Sequence, residues 1–299
     1  MSVKVWIKAA RLRTLPLALS GIIIGFSVAN VLQFSSDWML LCTILLTAVS
    51  LQILSNFAND YGDFMKGTDG EERSDRVLSS GDMTPEKLKK GIVFFVLLSL
   101  IFGIISIIIS PVKLDVYTTL LFIVGCASIV AAVKYTIGKN PYGYNALGDV
   151  SVFIFFGLFA VIGTYFLMTN GVHYLIIYPA CSIGFMSVAV LNTNNIRDIE
   201  NDLKSNKKTI ANTLGKNKAL KYHFSLLILG LICLFIFEYK RYGNPLHYSF
   251  LLIAPFYFSH YDRMTKIQND KREGYNKELK TLSLLILITA LVFAVSHYF

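Results

Sequence analysis

The chain has 299 residues, 54% of them hydrophobic and only 16% charged, with a mean hydropathy of +0.56. A water-soluble domain carries about 25% charged residues, so this composition excludes that class and predicts a polytopic membrane protein. The net charge of +9 gives no reason to expect nucleic acid, because the basic residues sort by connector, as positive charge beside anionic lipid headgroups does.

In chain order, the basic segment Val3–Arg13, with Trp6, reads as an interfacial helix. Basic residues ahead of an apolar run superficially resemble a signal peptide. That run contains Pro16 and is not followed by a small-x-small site, so it predicts a retained first span. Nine apolar runs approach the ~20-residue spanning length: Leu15–Leu32, Trp38–Ser55, Ile92–Ser110, Val116–Val133, Val150–Met168, Tyr174–Asn192, Tyr222–Phe237, Leu246–Tyr261 and Leu282–Tyr298. The seventh and eighth are short and free to tilt or kink. No linker or second composition regime interrupts the series, so one membrane domain over residues 1–299 is expected. Cys42, Cys126, Cys181 and Cys233 sit inside apolar runs without metal-ligand spacing and read as small buried hydrophobes. The five histidines share no spacing and receive no role.

Two acidic, asparagine-led segments close long apolar runs at similar depth in the two halves. SNFANDYGDF carries Asn56, Asp60 and Asp63, and LNTNNIRDIEND carries Asn194, Asp198 and Asp202. On a helix each set lines one face, at i, i+4, i+7 and i, i+4, i+8. Long polar connectors follow each (Tyr61–Lys90 and Glu200–Lys221), and both are expected to form short caps, the first opening at Thr84-Pro85-Glu86. A third connector, Lys134–Asp149, holds Tyr135, Tyr142 and Tyr144 among Gly138, Gly143, Gly148 and Pro141. Its turn residues forbid a simple helix, and its density of ionisable groups favours a site-forming loop over an aromatic belt. If the N-terminus is cytoplasmic, only Lys113, Lys240 and Arg241 of the 28 basic residues fall outside. Both acidic segments then face the cytoplasm.

Carboxylates at the border of a bilayer are costly without positive partners. Mg²⁺ takes oxygen ligands and keeps room for substrate phosphates, so two such clusters could grip a diphosphate from both sides. Headgroup-level charges paired with Arg73, Arg76 or Arg197 would explain one segment alone, but two matching segments favour the metal reading. Arg73, Arg76, Lys134, Lys207 and Lys208 are candidates for the remaining diphosphate oxygens. Tyr135, Tyr142, Phe153 and Phe156 could face an allylic cation, although packing is the usual role of such rings.

These features resemble the UbiA superfamily of intramembrane prenyltransferases. Leu51–Asp69, Lys134–Gly157 and Leu191–Lys216, together with ARLRTLPLALSGIIIG (Ala10–Gly25), are similar to the 1,4-dihydroxy-2-naphthoate polyprenyltransferases of menaquinone synthesis, the PYGY…LGD loop most specifically. The resemblance implies an all-α fold of about nine spans around a central cavity, with cytoplasmic caps, in the bacterial inner membrane. It assigns one Mg²⁺ to Asn56, Asp60 and Asp63 and another to Asn194, Asp198 and Asp202. It implies transfer of a polyprenyl chain from its diphosphate to 1,4-dihydroxy-2-naphthoate, giving demethylmenaquinone, diphosphate and CO₂. Asp149 and Tyr142, with Lys134 and Tyr135, are then candidates around the acceptor. One departure lies at RVLSSG (Arg76–Gly81), where relatives often carry Gln at the position of Ser79. Membrane lipids are the other expected partners, with no nucleic acid and no obligate protein evident. Two rivals remain: a UbiA-type enzyme using another aromatic acceptor, and a secondary transporter, whose ionisable residues should lie inside the spans rather than at their ends.

Overall fold

The computed structural model describes residues 2–67, 76–267 and 272–297. Its regular elements are helices, with one isolated β-bridge between Asn145 and Lys208. That is the arrangement an apolar surrounding demands, because a helix satisfies its backbone within itself. Helix α1 (Val3–Ala10) is capped by the Ser2 hydroxyl and ends at Arg11 in the left-handed region, φ +48°. A tight turn leads into α2 (Leu15–Gln33), and the Asp37 carboxylate, accepting from Leu40 N–H at 2.9 Å, opens α3 (Trp38–Met65). At 1.5 Å per residue the 28 residues of α3 reach about 42 Å, against roughly 30 Å of hydrocarbon, so its last turns stand clear of the apolar layer. Helices α4 (Pro85–Ile109) and α5 (Val116–Lys134) complete the first half. The signal at Thr84-Pro85-Glu86 does not open a separate cap. Pro85 sits in the first turn of α4, and the helix runs through Lys87–Lys90 into the apolar stretch without a break.

In the second half, α6 (Gly148–Val152), a π-helical stretch (Phe153–Phe159) and α7 (Ala160–Thr169) form one span. Next come α8 (Ile177–Arg197), the short α9 (Ile199–Lys204) and α10 (Ile210–Leu214), and α11 (Lys216–Lys240). A 3₁₀ stretch (Pro245–Ile253) then turns into α12 (Ala254–Lys266), and α13 (Arg272–Ser296) ends the described chain. Eight helices among the described residues are long and apolar enough to cross a membrane. The run expected at Leu246–Tyr261 is the composite 3₁₀–α12 column. Asn244 and Pro245 start it, and Pro255 lacks the N–H that an α-helix would pair with Leu251 C=O, so the early turns tighten.

The main core joins α2, α7, α8, α11 and α13 around Ile24, Met186, Leu234 and Phe293. A second cluster packs α1, α3 and α4 around Leu54, Phe57 and Leu88, with Trp6 tilted on Phe57 at 5.6 Å. The π-helical stretch lies tight against α8: a Cβ on Gly157 would sit 2.6 Å from Gly184 Cα and 2.7 Å from Ala180 O. Cys42 is exposed along its span and Cys126, Cys181 and Cys233 are half-buried, which corrects the expectation of buried cysteines. An apolar run predicts an apolar surrounding, and in a membrane protein that surrounding need not be protein.

The histidines pair by topology rather than by sequence spacing. Near the ends of α11, α12 and α13 that adjoin the connectors, His223 Nε2 lies 3.0 Å from His260 Nε2, and His260 Nδ1 is 2.7 Å from Glu278, which also binds Arg263. At the opposite end, His247 and His297 stack at 4.5 Å beside the buried Glu238, itself paired with Arg241 at 2.9 Å. Both networks supply the partners that buried carboxylates require.

Candidate active site

A cavity of about 390 Å³ opens between the two halves. Its inner wall is apolar, with Ile44, Ile107, Leu121, Phe155, Phe156 and Phe159, and its mouth is polar. The mouth gathers Arg11, Asn56, Asn59, Asp63, Arg76, Asn194, Asn195 and Lys207. Asn56 and Asp63 of the first motif and Asn194 of the second therefore reach one opening although more than 130 residues separate the motifs, while Asp198 and Asp202 are not among its lining residues.

The first motif stays within α3. Asn56, Asp60 and Asp63 are all buried. The Asn56 amide donates to Ala10 O at 2.9 Å and to Thr14 Oγ1 at 3.0 Å, which turns its carbonyl oxygen toward Gln52, 3.4 Å away. Asp60 pairs with Arg11 and lies 3.5 Å from Arg76, and Asp63 accepts from Arg76 at 2.7 Å and from Tyr144 Oη at 2.8 Å. Asp63 lines the cavity, whereas Asp60 sits behind the wall against the arginines. Arg11 is the left-handed C-cap of α1, and its side chain lines the mouth of the cavity.

The second motif does not stay on one continuous helix, as its i, i+4, i+8 spacing suggested. Helix α8 stops at Arg197, Asp198 is the joint (φ −104°, ψ 8°), and Asp202 falls in α9. Arg197 grips both Asp198 oxygens, at 3.0 and 2.7 Å, and reaches Asn194 Oδ1. Arg272 of α13 adds a bond to Asp198 at 2.8 Å, and Lys207 lies 3.5 Å from Asp202. Every carboxylate of the two motifs thus faces a cation. Their all-oxygen donor set of Asn and Asp suits a hard divalent ion of the Mg²⁺ kind.

Tyr144 ties the three connectors together. Its hydroxyl holds Asp63, its ring lies under Lys66 Nζ at 4.6 Å and Lys207 Nζ at 5.4 Å, and its carbonyl accepts from Lys208 N–H at 3.0 Å. Ala146 N–H returns a bond to Lys208 O at 2.9 Å, completing the β-bridge between loop and second connector. Tyr135 and Tyr142 meet edge to face at 5.3 Å on the cavity wall. A Cβ on Gly143 would lie 2.6 Å from Tyr135 O and 2.9 Å from its ring, so close packing requires this glycine. Tyr142 Oη donates to Ala131 O at 2.9 Å and sits 3.1 Å from Ser151 Oγ. Burial, then the nearby Asp149 charge, holds the Tyr135 hydroxyl above its ordinary range. Burial also raises Tyr142, against the lowering by Ser151.

Several predicted residues lie elsewhere. Lys134 and Lys208 are exposed and absent from the cavity lining. Asp149 is buried and also outside the lining, held by Tyr222 Oη at 3.0 Å. Phe153 packs against Phe185 at 5.0 Å, whereas Phe156 does line the cavity. Arg73 lies outside the described residues. Arg11 and Arg272 were missed, while the sequence offered Arg197 only as a pairing partner of the acidic segments and Tyr144 only as part of the site-forming loop. Arg11 and Arg197 carried a signal, a cation within one turn of an apolar run or of the acidic motif, but positive-inside charge accounted for them equally well.

The profile of the UbiA prenyltransferase family matches residues 18–285. A 1,4-dihydroxy-2-naphthoate octaprenyltransferase from Haemophilus influenzae is 42% identical over 263 residues, covering 86% of this chain and 84% of that one. Its Escherichia coli counterpart is 38% identical over 252 residues, covering 84% and 81%. Among solved structures, a UbiA homolog from Aeropyrum pernix superposes with a TM-score of 0.67 at 14% identity, covering 99% of this chain and 98% of that one. One from Archaeoglobus fulgidus, solved with GPP and Mg²⁺, gives 0.65 at 14% identity, covering 97% and 99%. At such identities the likeness is one of fold.

Proposed function

The chain belongs to the UbiA prenyltransferase family, and from that premise we infer that the polar mouth of its cavity holds a polyprenyl diphosphate while the apolar interior takes the chain. It is a prenyltransferase that moves a polyprenyl group onto 1,4-dihydroxy-2-naphthoate in menaquinone biosynthesis, the activity named for relatives at 35–42% identity. The observation that carries the site assignment is that Asn56 and Asp63 of one motif and Asn194 of the other line one apolar cavity.

In this reading Asn56, Asp60 and Asp63, with Asn194, Asp198 and Asp202, hold Mg²⁺, which when bound would neutralise charge gathering on the departing diphosphate. Arg11, Arg76 and Lys207, already at the mouth, contribute charge-assisted bonds to the remaining phosphate oxygens. Arg73 is retained as a candidate from sequence alone. The allylic C–O bond breaks with its electron pair leaving on diphosphate. The ring carbon that bears the carboxylate forms the new C–C bond, and loss of CO₂ returns the electron pair to the ring, leaving the reduced form of demethylmenaquinone. No base is needed at that carbon. Tyr135 and Tyr142 stay protonated and present ring faces and a hydroxyl to the reacting carbons. Asp149, bonded to Tyr222, steadies the loop that carries them. The whole chain works as one unit in the bacterial inner membrane, with the three connectors on the cytoplasmic side.

The test is product analysis by mass spectrometry with purified protein, a polyprenyl diphosphate, and a panel of aromatic acceptors. Prenylated, decarboxylated product from dihydroxynaphthoate, and none from 4-hydroxybenzoate, is expected. The reverse preference would overturn the acceptor assignment.

A further inference from the structure

A cluster at the end of the molecule opposite the polar mouth is built from residues that the transfer reaction does not use. Glu238 near the end of α11, His247 in the 3₁₀ stretch and His297 just past α13 converge there, with one donor atom of each within 4.8 Å of the other two. Among the described residues no other three His, Cys, Asp or Glu side chains come together in this way.

The hydrogen bonds fix what each imidazole offers. His297 Nδ1 lies 2.5 Å from Phe293 O, a carbonyl, so that nitrogen carries a proton and donates it. In the neutral ring Nε2 is then a lone pair, and it points at Glu238 Oε1, 2.9 Å away. Two acceptors at that distance need a proton or a metal cation between them. A backbone carbonyl on the far ring nitrogen is also the usual way in which a metal-binding histidine is oriented. His247 Nδ1 accepts from Asn244 N–H at 3.0 Å, so it too presents a lone pair, and Arg241 Nη2 lies 2.5 Å from it. The same Nη2 is 2.9 Å from Glu238 Oε2. One guanidinium nitrogen thus stands where the histidine and the carboxylate call for a cation. Gly243 leaves the carboxylate its room, since a Cβ there would overlap Glu238 Oε2. The other histidine network needs no ion: His260 Nδ1 donates to Glu278, and its Nε2 accepts the His223 Nε2 proton, so each short contact holds one proton.

We propose that Glu238, His247 and His297 bind one transition-metal cation of the Zn²⁺ class, which takes the place of the Arg241 guanidinium and fastens the ends of α11 and α13 to the 3₁₀ stretch. Two imidazoles and a carboxylate suit such an ion better than Mg²⁺, which prefers oxygen ligands throughout. Ligand atoms around a tetrahedral zinc stand ~3.3 Å apart, so the three donors need to close by about 1.5 Å at most, with water in the fourth position. The Arg241 and His247 side chains are 17% and 16% exposed, against 0% for Glu238 and 1% for His297, so the ion enters from the arginine side.

The test is Zn²⁺ titration of the purified whole protein, read by calorimetry, thermal unfolding and zinc X-ray absorption. One tightly held Zn²⁺ with imidazole scattering and a raised melting temperature is expected. His247→Gln and His297→Gln should each weaken it at least about tenfold, whereas Asp60→Ala, in the first acidic motif, should leave this imidazole-bound ion unchanged. Arg241→Gln removes the competing cation and should tighten zinc by roughly threefold or more. Unchanged affinity in both histidine variants, or a spectrum with oxygen ligands alone, would overturn the proposal. So would zinc binding that Arg241→Gln leaves unchanged or weakens, because the guanidinium would then brace the cluster rather than fill the ion's place. Should a histidine variant fail to fold, the wild-type spectrum and the Arg241→Gln comparison still decide. Absence of zinc binding in both of those proteins would make the cluster a plain imidazolium–carboxylate pair and end the proposal.

Discussion

At the scale of single residues, the carboxylates of the two motifs are buried and each is matched by a cation. Arg76 and Asp63 are both almost fully buried and 2.7 Å apart. Removing one partner of such a pair typically costs about 3–5 kcal/mol, because the other charge is stranded. Arg76→Ala should therefore lower thermal stability markedly, and added Mg²⁺ should restore part of it if the acidic end takes up the ion. Tyr144→Phe keeps the ring beneath Lys66 and Lys207 but deletes the bond to Asp63. A loss of about 1.5–3 kcal/mol is expected there, as for a hydrogen bond to a charged group, visible as a raised KM for the diphosphate. Because burial holds the Tyr135 and Tyr142 protons more tightly than usual, neither hydroxyl should ionise near neutral pH. Phenylalanine at either position should leave the shape of the pH–rate profile unchanged up to about pH 9, and a new or vanished alkaline limb would contradict this. Of the two acidic motifs, Asn56, Asp63 and Asn194 line the cavity that the sequence pointed to, since polar residues closing an apolar run are conspicuous, whereas Asp60, Asp198 and Asp202 are buried outside its lining. Arg11 and Arg272 were not legible, because only tertiary packing brings α1 and α13 to the two motifs.

At the scale of elements, apolar length alone located the helical columns. Their connector-side ends were harder to place. Helix α3 continues to Met65 rather than Ser55, α8 to Arg197 rather than Asn192, and α13 starts at Arg272 rather than Leu282. A helix does not stop where its surroundings change from lipid to water, so hydropathy reports the bilayer and not the helix. The 3₁₀ stretch at Pro245–Ile253 and the π-helical stretch at Phe153–Phe159 were likewise invisible to apolar periodicity. The π-helical stretch has a consequence that can be measured. It displays Phe155, Phe156 and Phe159 to the cavity while Gly157 presses on Gly184. Gly157→Val would force α8 away, at about 1–3 kcal/mol of overpacking. It should lower both thermal stability and turnover, whereas Phe159→Leu should spare stability.

At the scale of the whole molecule, the two halves each deliver one acidic helix end, and the cavity lies where they meet. The asymmetric basic connectors predict that reporters fused after Lys66 or Ser205 are cytoplasmic and one after Asn244 is periplasmic. A periplasmic signal at either acidic connector would reverse the orientation. The central claim is that both ends act together on one diphosphate through Mg²⁺, and the most direct measurement is binding of a non-reactive polyprenyl thiodiphosphate, with and without Mg²⁺, to wild type, Asp60→Ala and Asp198→Ala. Tight, Mg²⁺-dependent binding to the wild type is expected, with a loss of at least about tenfold in affinity in each folded variant. Wild-type affinity with intact Mg²⁺ dependence in either variant would show that one acidic end suffices and would contradict it.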